Sequence, residues 1–290
     1  MNNEKKKRMS LAEKWESLTF ADNYIFCKVL EDNPDVTKEI LELLLDIKID
    51  HIEQPRKENS LQVDFMSKGI RFDVYVEGDS DRCFDIEIQT SHFSNLAKRA
   101  RYYQGLMDVD NLQRGEDYKV LKDSYVIFLC LGDPIGEGLP VYTFRYRADE
   151  NHSILMKDGT VNIFFNVKKY DKMKSESLQA FCKYLCGQEP GTNFTDRLTA
   201  LVARLKVSPQ RRHEYMTWEQ EIEEAKQYAR EEAREEALEE GREEGLSQGR
   251  IETAKNMLMN NISLEMAAKC TGLPLDQVLA LQKEICVPVC

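Results

Sequence analysis

Two stretches of strict alternation flank a tight polar turn. In GIRFDVYVEG (69–78) and CFDIEIQT (83–90) apolar residues recur at every second position, the period of a β-strand with one buried face. The GDSD tetrad between them is a turn signal, so the pair reads as an antiparallel hairpin. Its polar positions are unusual. Phe84, Ile86 and Ile88 alternate with Asp85, Glu87 and Gln89, and the first stretch sets Asp73 among apolar neighbours. Carboxylates are poor strand formers, and two of them close to a core repel unless a proton or a cation intervenes.

The rest of the chain surrounds this hairpin with helices and further strands. Two helices are expected over 17–49, in SLTFADNYIFCKVLED and DVTKEILELLLDIKI, the second with Ile40, Leu43, Leu44 and Ile47 as its core stripe. IDHIEQP and SLQVDFMS are short strand candidates. A helix follows the hairpin from Phe93 to about Asp110. SYVIFLCLGDP is a nearly continuous apolar run, as a central buried strand would be. VYTFRYRA and TVNIFFNVKKY read as strands, SESLQAFCKYLCG and TDRLTALVARLKV as helices. This order suggests an α/β fold, a mixed sheet with helices packed on it.

After Pro209 the chain changes character. Between Glu214 and Glu244, thirteen Glu face four Lys or Arg, a net of −9 out of the −11 of all 290 residues. The acidity is local, so it does not exclude a polyanionic ligand elsewhere. Lys226, Arg230 and Arg234 form one i,i+4 row and Glu231, Glu235, Glu239 and Glu243 another. Like charges at this spacing repel within one helix, and a partner helix of opposite charge would relieve them. Gly241, Gly245 and Gly249 weaken the end of this arm or let two helices approach. In ISLEMAAKCTGLPLDQVLALQ an apolar stripe breaks at Thr271-Gly272 before Pro274, an outline shared by helix-turn-helix DNA readers and by small protein-binding caps. The expected organisation is a domain over 1–208, a charged helical arm over 209–250 and a small helical unit over 251–290.

No apolar run approaches eighteen residues, so no membrane-spanning helix is expected. MNNEKKKRMS is basic but no apolar segment follows it, so it does not read as a secretory signal. The eight cysteines form no CxxC pair and the four histidines are scattered. Free thiols in a reducing cytoplasm are expected, not a zinc site.

The chemistry lies in the hairpin and the helix after it. Asp73 and Glu87 on adjacent strands would suit a divalent cation, and oxygen ligands favour Mg²⁺ or Mn²⁺. Gln89 shares the Glu87 face and can hydrogen-bond a water or a phosphate oxygen. Lys98, Arg99 and Arg101 cluster beside Tyr102, Tyr103 and Gln104, a combination that suits phosphates and bases. The alternative is plain: acids of edge strands facing solvent, and a solvated basic helix face.

With these residues in hand, the chain resembles the PD-(D/E)xK nuclease superfamily, and more narrowly the Rpn-type recombination-promoting nucleases, also described as transposases. The resemblance runs through LTFADNYIFCKVLED, LLLDIKIDHIE, GIRFDVYVEG, FDIEIQT, KRARYYQGLMD and SYVIFLCLGDP, roughly residues 17–170, and continues in the LEEGREEGLSQGR arm and small helical end. It implies a restriction-endonuclease-like mixed sheet flanked by helices. It also implies a metal-dependent DNA endonuclease linked to recombination or mobile elements. Asp73 matches the motif aspartate and Glu87 the second acid, both holding metal. Gln89 stands where the wider superfamily has lysine and where the narrower family commonly has glutamine; it would place the water. Lys98, Arg101, Tyr102 and Gln104 are the expected DNA contacts, and Asp22 a possible additional acid. Two other readings stay open: a DNA-binding protein without catalysis, and an interaction protein that oligomerises through 209–250.

Overall fold

The computed structural model describes residues 9–53, 55, 60–61, 70–71, 74–78, 81–91, 93–112 and 114–285. Asp73, the motif aspartate of the resemblance, lies outside them. The elements in chain order are α1 (Leu11–Ser17), α2 (Asn23–Asp32), α3 (Pro34–Leu45), β1 (Ser60–Leu61), β2 (Ile70–Arg71), β3 (Val74–Glu77), β4 (Arg82–Gln89), α4 (Leu96–Asn111), β5 (Asp123–Cys130), β6 (Val141–Phe144), β7 (Arg147–Ala148), β8 (Asn151–Leu155) and β9 (Thr160–Asn166). Helices α5 (Glu176–Leu185), α6 (Asn193–Lys206), α7 (Pro209–Met259), α8 (Leu264–Thr271) and α9 (Leu275–Ile285) complete the chain. The chain divides into two compact units between Met216 and Thr217.

The first unit is built on a five-stranded mixed sheet of order β3-β4-β5-β9-β6. β3 and β4 form the expected antiparallel hairpin, Val74 pairing with Ile86 and Glu77 with Cys83. β4, β5 and β9 run parallel, so β5 is the central strand. Parallel neighbours require a crossover, and α4 supplies the one between β4 and β5. The α4 residues Leu96, Ala100, Tyr103 and Met107 recur at helical spacing and pack with Cys83, Val126, Phe128, Cys130 and Phe164. On the opposite face Phe84, Ile86, Ile88, Ile127 and Leu129 are buried as well. Both faces are therefore covered, as a parallel sheet demands.

The N-terminal helices depart from expectation. The helix expected from Ser17 begins at Asn23, as α2. Asp22 Oδ2 accepts hydrogen bonds from the Thr19 N–H (2.6 Å) and hydroxyl (3.0 Å), and such local side-chain bonding competes with helix at this point. α1 precedes it, opened by a capping box between Ser10 and Glu13, with Trp15 buried against Tyr24 and Tyr215. In α3 the core stripe is Val36, Ile40, Leu41 and Leu44; Leu43 and Ile47 are only half-buried. The VYTFRYRA segment is split into β6 and β7, and β7 pairs with β8 in a separate hairpin.

In the second unit α7 continues unbroken through Gly241, Gly245 and Gly249. Gly272, at φ +70°, ends α8 in a left-handed cap, the conformation glycine adopts at least cost. Ala254, Ala267, Val278 and Leu281 form its small core. Among the described residues no helix is long and apolar enough to cross a membrane.

Candidate active site

Side chains alternate along β4, so Cys83, Asp85, Glu87 and Gln89 share the face that α4 covers. The consequence is that this strand's polar face is interior. Asp85 is 0% exposed and Glu87 1%. Asp85 pairs with Tyr75 and Val126 within the sheet. Burying a carboxylate is costly unless charge and hydrogen bonds compensate.

For Glu87 the compensation comes from Arg99, in the first turn of α4. Arg99 Nη2 donates to Glu87 Oε2 at 2.9 Å and to the Tyr103 hydroxyl at 2.8 Å; Nη1 donates to Gln89 Oε1 at 3.0 Å. Its guanidinium carbon lies 5.4 Å from the centre of the Tyr103 ring and 5.5 Å from that of Phe128. Two aromatic faces and three hydrogen bonds thereby orient one planar cation. Burial, reinforced by the Glu87 charge and opposed by Arg99, pushes the Tyr103 phenol well above its ordinary range, so it stays neutral. Gln89 Nε2 turns back to the Ile88 carbonyl at 3.1 Å.

The remaining expected site residues separate into surface and interior. Lys98 and Arg101 are exposed, and Tyr102 is partly so, on the outside of α4. Gln104 is not with them. It is buried beneath α4, where its Nε2 donates to the Val161 carbonyl (3.1 Å) and Asn162 Oδ1 (3.2 Å), and its Oε1 accepts from the Ser124 hydroxyl. Its role is to tie α4 to β5 and β9, which does not leave its amide for a nucleic acid. Asp22 is engaged by Thr19 at the start of α2.

Arg99 is the residue that sequence reasoning did not single out from its basic neighbours. The signal was its spacing: three residues after Leu96 and four before Tyr103, it belongs to the sheet-facing side of α4, whereas Lys98 and Arg101 do not. One further polar residue joins the same row. Gln89 pairs with Cys130 and Cys130 with Asn166; Asn166 is 2% exposed, and its Oδ1 has no hydrogen-bond partner among the described residues.

The donor set suits a hard cation. Glu87 presents carboxylate oxygens, while burial pushes the Cys83 and Cys130 thiols up to about 12, keeping them neutral. Among the described residues no three His, Cys, Asp or Glu side chains gather as a metal cluster; the acids that β4 itself places on this face are Asp85 and Glu87. Carboxylate oxygens are of the kind that a divalent cation takes.

A mixed sheet with a parallel centre, a crossover helix, and an acid and an amide on one strand face are consistent with an α/β nuclease fold. The chain belongs to the PD-(D/E)XK nuclease family transposase family, whose model matches residues 20–244. Nucleases of this class generally use divalent metals. No curated protein and no solved structure matches the chain.

Proposed function

We propose that the protein is a Mg²⁺- or Mn²⁺-dependent DNA endonuclease that acts in recombination or on mobile elements. The observation that carries this reading is the buried Glu87 held beside Gln89 at the foot of a basic, partly aromatic helix surface. Asp73 is joined by one peptide bond to Val74, Glu87 by one to Ile86, and Val74 pairs with Ile86. Asp73 and Glu87 would hold the metal. When bound, such an ion polarises a phosphodiester and lowers the pKa of water. Gln89 would place the attacking water, which gives up a proton to solvent as its oxygen bonds to phosphorus, while the P–O bond to the leaving sugar oxygen breaks and that oxygen takes up a proton from solvent. Lys98 and Arg101 would contact phosphates outside the reacting one, and Tyr102 would stack on a base or sugar. In this reading the protein works in the cytoplasm. Nicking of supercoiled plasmid by purified protein, with and without Mg²⁺, tests it.

The arm supports a second element of the reading, self-association. Residues 223–250 carry the like-charge rows on an exposed helix, and Tyr228 (70%), Leu238 (63%) and Leu246 (57%) are exposed on it. We infer that a second copy covers these residues. Light scattering on the full chain should give a multiple of the monomer mass; a monomer at all concentrations contradicts it.

A further inference from the structure

The glutamine at 89 leaves a chemical gap. An amide can orient water but brings no positive charge to a phosphate whose oxygens gain negative charge during cleavage. We propose that Arg99 supplies that charge, reaching from α4 to the place where a lysine at 89 would have ended, and that it does so once a divalent cation takes over Glu87. The inference rests on the nuclease function proposed above.

Three observations carry it. The Arg99 Nη1 hydrogen bond to Gln89 Oε1, at 3.0 Å, sets a cation at the tip of the residue-89 side chain. The pairing with Glu87 and Tyr103 and the stacking on Tyr103 and Phe128 hold its plane in one orientation, and a preoriented guanidinium is suited to two-point contact with phosphate. Finally, 29% of the Arg99 side chain is exposed against 1% of Glu87. Within the pair, the cation is the partner that faces solvent, so a substrate phosphate reaches Arg99 before Glu87.

The pairing also makes Arg99 and a metal ion competitors for Glu87. A cation arriving at that carboxylate replaces the charge that Arg99 now provides, and Nη2 is freed for a phosphate oxygen. Gln89 Oε1 keeps hold of Nη1 in both states through one lone pair and leaves its other lone pair for the attacking water.

The test uses the full chain, a fluorescent DNA duplex, and Ca²⁺ as a probe ion that supports binding without turnover. Wild type should bind the duplex about tenfold more tightly with Ca²⁺ than with chelator, the scale of one charge-assisted contact. Arg99→Met should lose that gain, while its melting temperature rises with Ca²⁺ at least as much as that of wild type, because Glu87 no longer has a competing cation. Arg99→Lys, which keeps the charge but not the fork, should fall between and guards against misfolding of the methionine variant. With Mg²⁺, cleavage by Arg99→Met should fall by about 10²–10³-fold, as when one preoriented donor is removed. Adding Gln89→Lys to Arg99→Met should restore a large part of both binding gain and cleavage, which a merely structural arginine would not allow. Equal binding and cleavage by wild type and Arg99→Met overturns the proposal, as does a well-folded double variant no better than Arg99→Met. If wild type binds in this Arg99-dependent way yet never cleaves, the nuclease reading fails and the phosphate role of Arg99 stands.

Discussion

Arg99 Nη2 stands 2.9 Å from Glu87 Oε2, with the acid sealed in the sheet and the base at its mouth. The two partners are therefore not equivalent. Arg99→Met leaves a carboxylate inside the protein without its cation, and breaking a buried pair in this way costs about 3–5 kcal/mol. Glu87→Gln leaves a cation that already reaches solvent, and should cost about 1 kcal/mol or less. Denaturant unfolding of both variants in chelator measures the difference. Equal losses would mean that the pair does not solvate Glu87.

The outer and inner polar residues of α4 should separate by experiment. Lys98→Ala and Arg101→Ala should leave the melting temperature unchanged, weaken DNA binding and each lower the salt slope of log K by about 1. Gln104→Leu should destabilise by about 1–3 kcal/mol through the stranded Ser124 and Asn162 groups. It should leave the salt slope as it is. Anisotropy titrations at several salt concentrations, paired with melting curves, decide the matter.

Gly132, just after β5, makes room for the Phe93 ring that precedes α4. A Cβ there would stand 2.7 Å from the Phe93 ring, which packs against the α4 core. Gly132→Ala should cost about 1–3 kcal/mol by overpacking and disturb the helix turn that carries Arg99. Adding Phe93→Ala should recover part of that loss, giving a non-additive double-mutant cycle. Additive losses would show that the ring is not what the new methyl meets.

Asp133 holds the loop between β5 and β6. Its carboxylate accepts from the Ile135, Gly136 and Gly138 N–H groups and from the Tyr142 hydroxyl. Burial works against the charge, but these donors outweigh it and hold the group at about 2, below its usual 3.8. A depressed carboxylate contributes stability that is present above pH 3.8 and lost as the pH falls through 2. Wild type should therefore lose more stability than Asp133→Asn between pH 4 and pH 2, and the two should run parallel above pH 5. Melting curves across this range check the sign.

Much of this fold was legible in the sequence because its pattern is periodic. The alternation of 69–90 marks the hairpin, and the apolar run of 125–131 marks the central strand. α1 was not legible, since seven residues are too few for a helical stripe. Nor was the start of α2, where one Asp22 side chain overrides a helical pattern. Alternation also says which residues share a face but not whether that face is covered. Asp85 and Glu87 read as the outward half of a strand, and it is α4, arriving over Leu96–Met107, that makes them interior. For the same reason Lys98, Arg99 and Arg101 look alike in sequence and differ in the structure: helix phase turns Arg99 to the sheet and the other two to solvent.

On the proposed function, Asp73 and Glu87 cut DNA with a metal ion. The most direct measurement is nicking of supercoiled plasmid by purified wild type, Asp73→Ala and Glu87→Gln, each with Mg²⁺ and with chelator. Wild type should convert the plasmid only with Mg²⁺, and both variants should lose about 10²-fold or more of that rate while still folding, the scale expected when charge stabilisation at the reacting phosphate is removed. Cleavage that persists in chelator, or that survives in either variant, would contradict the account.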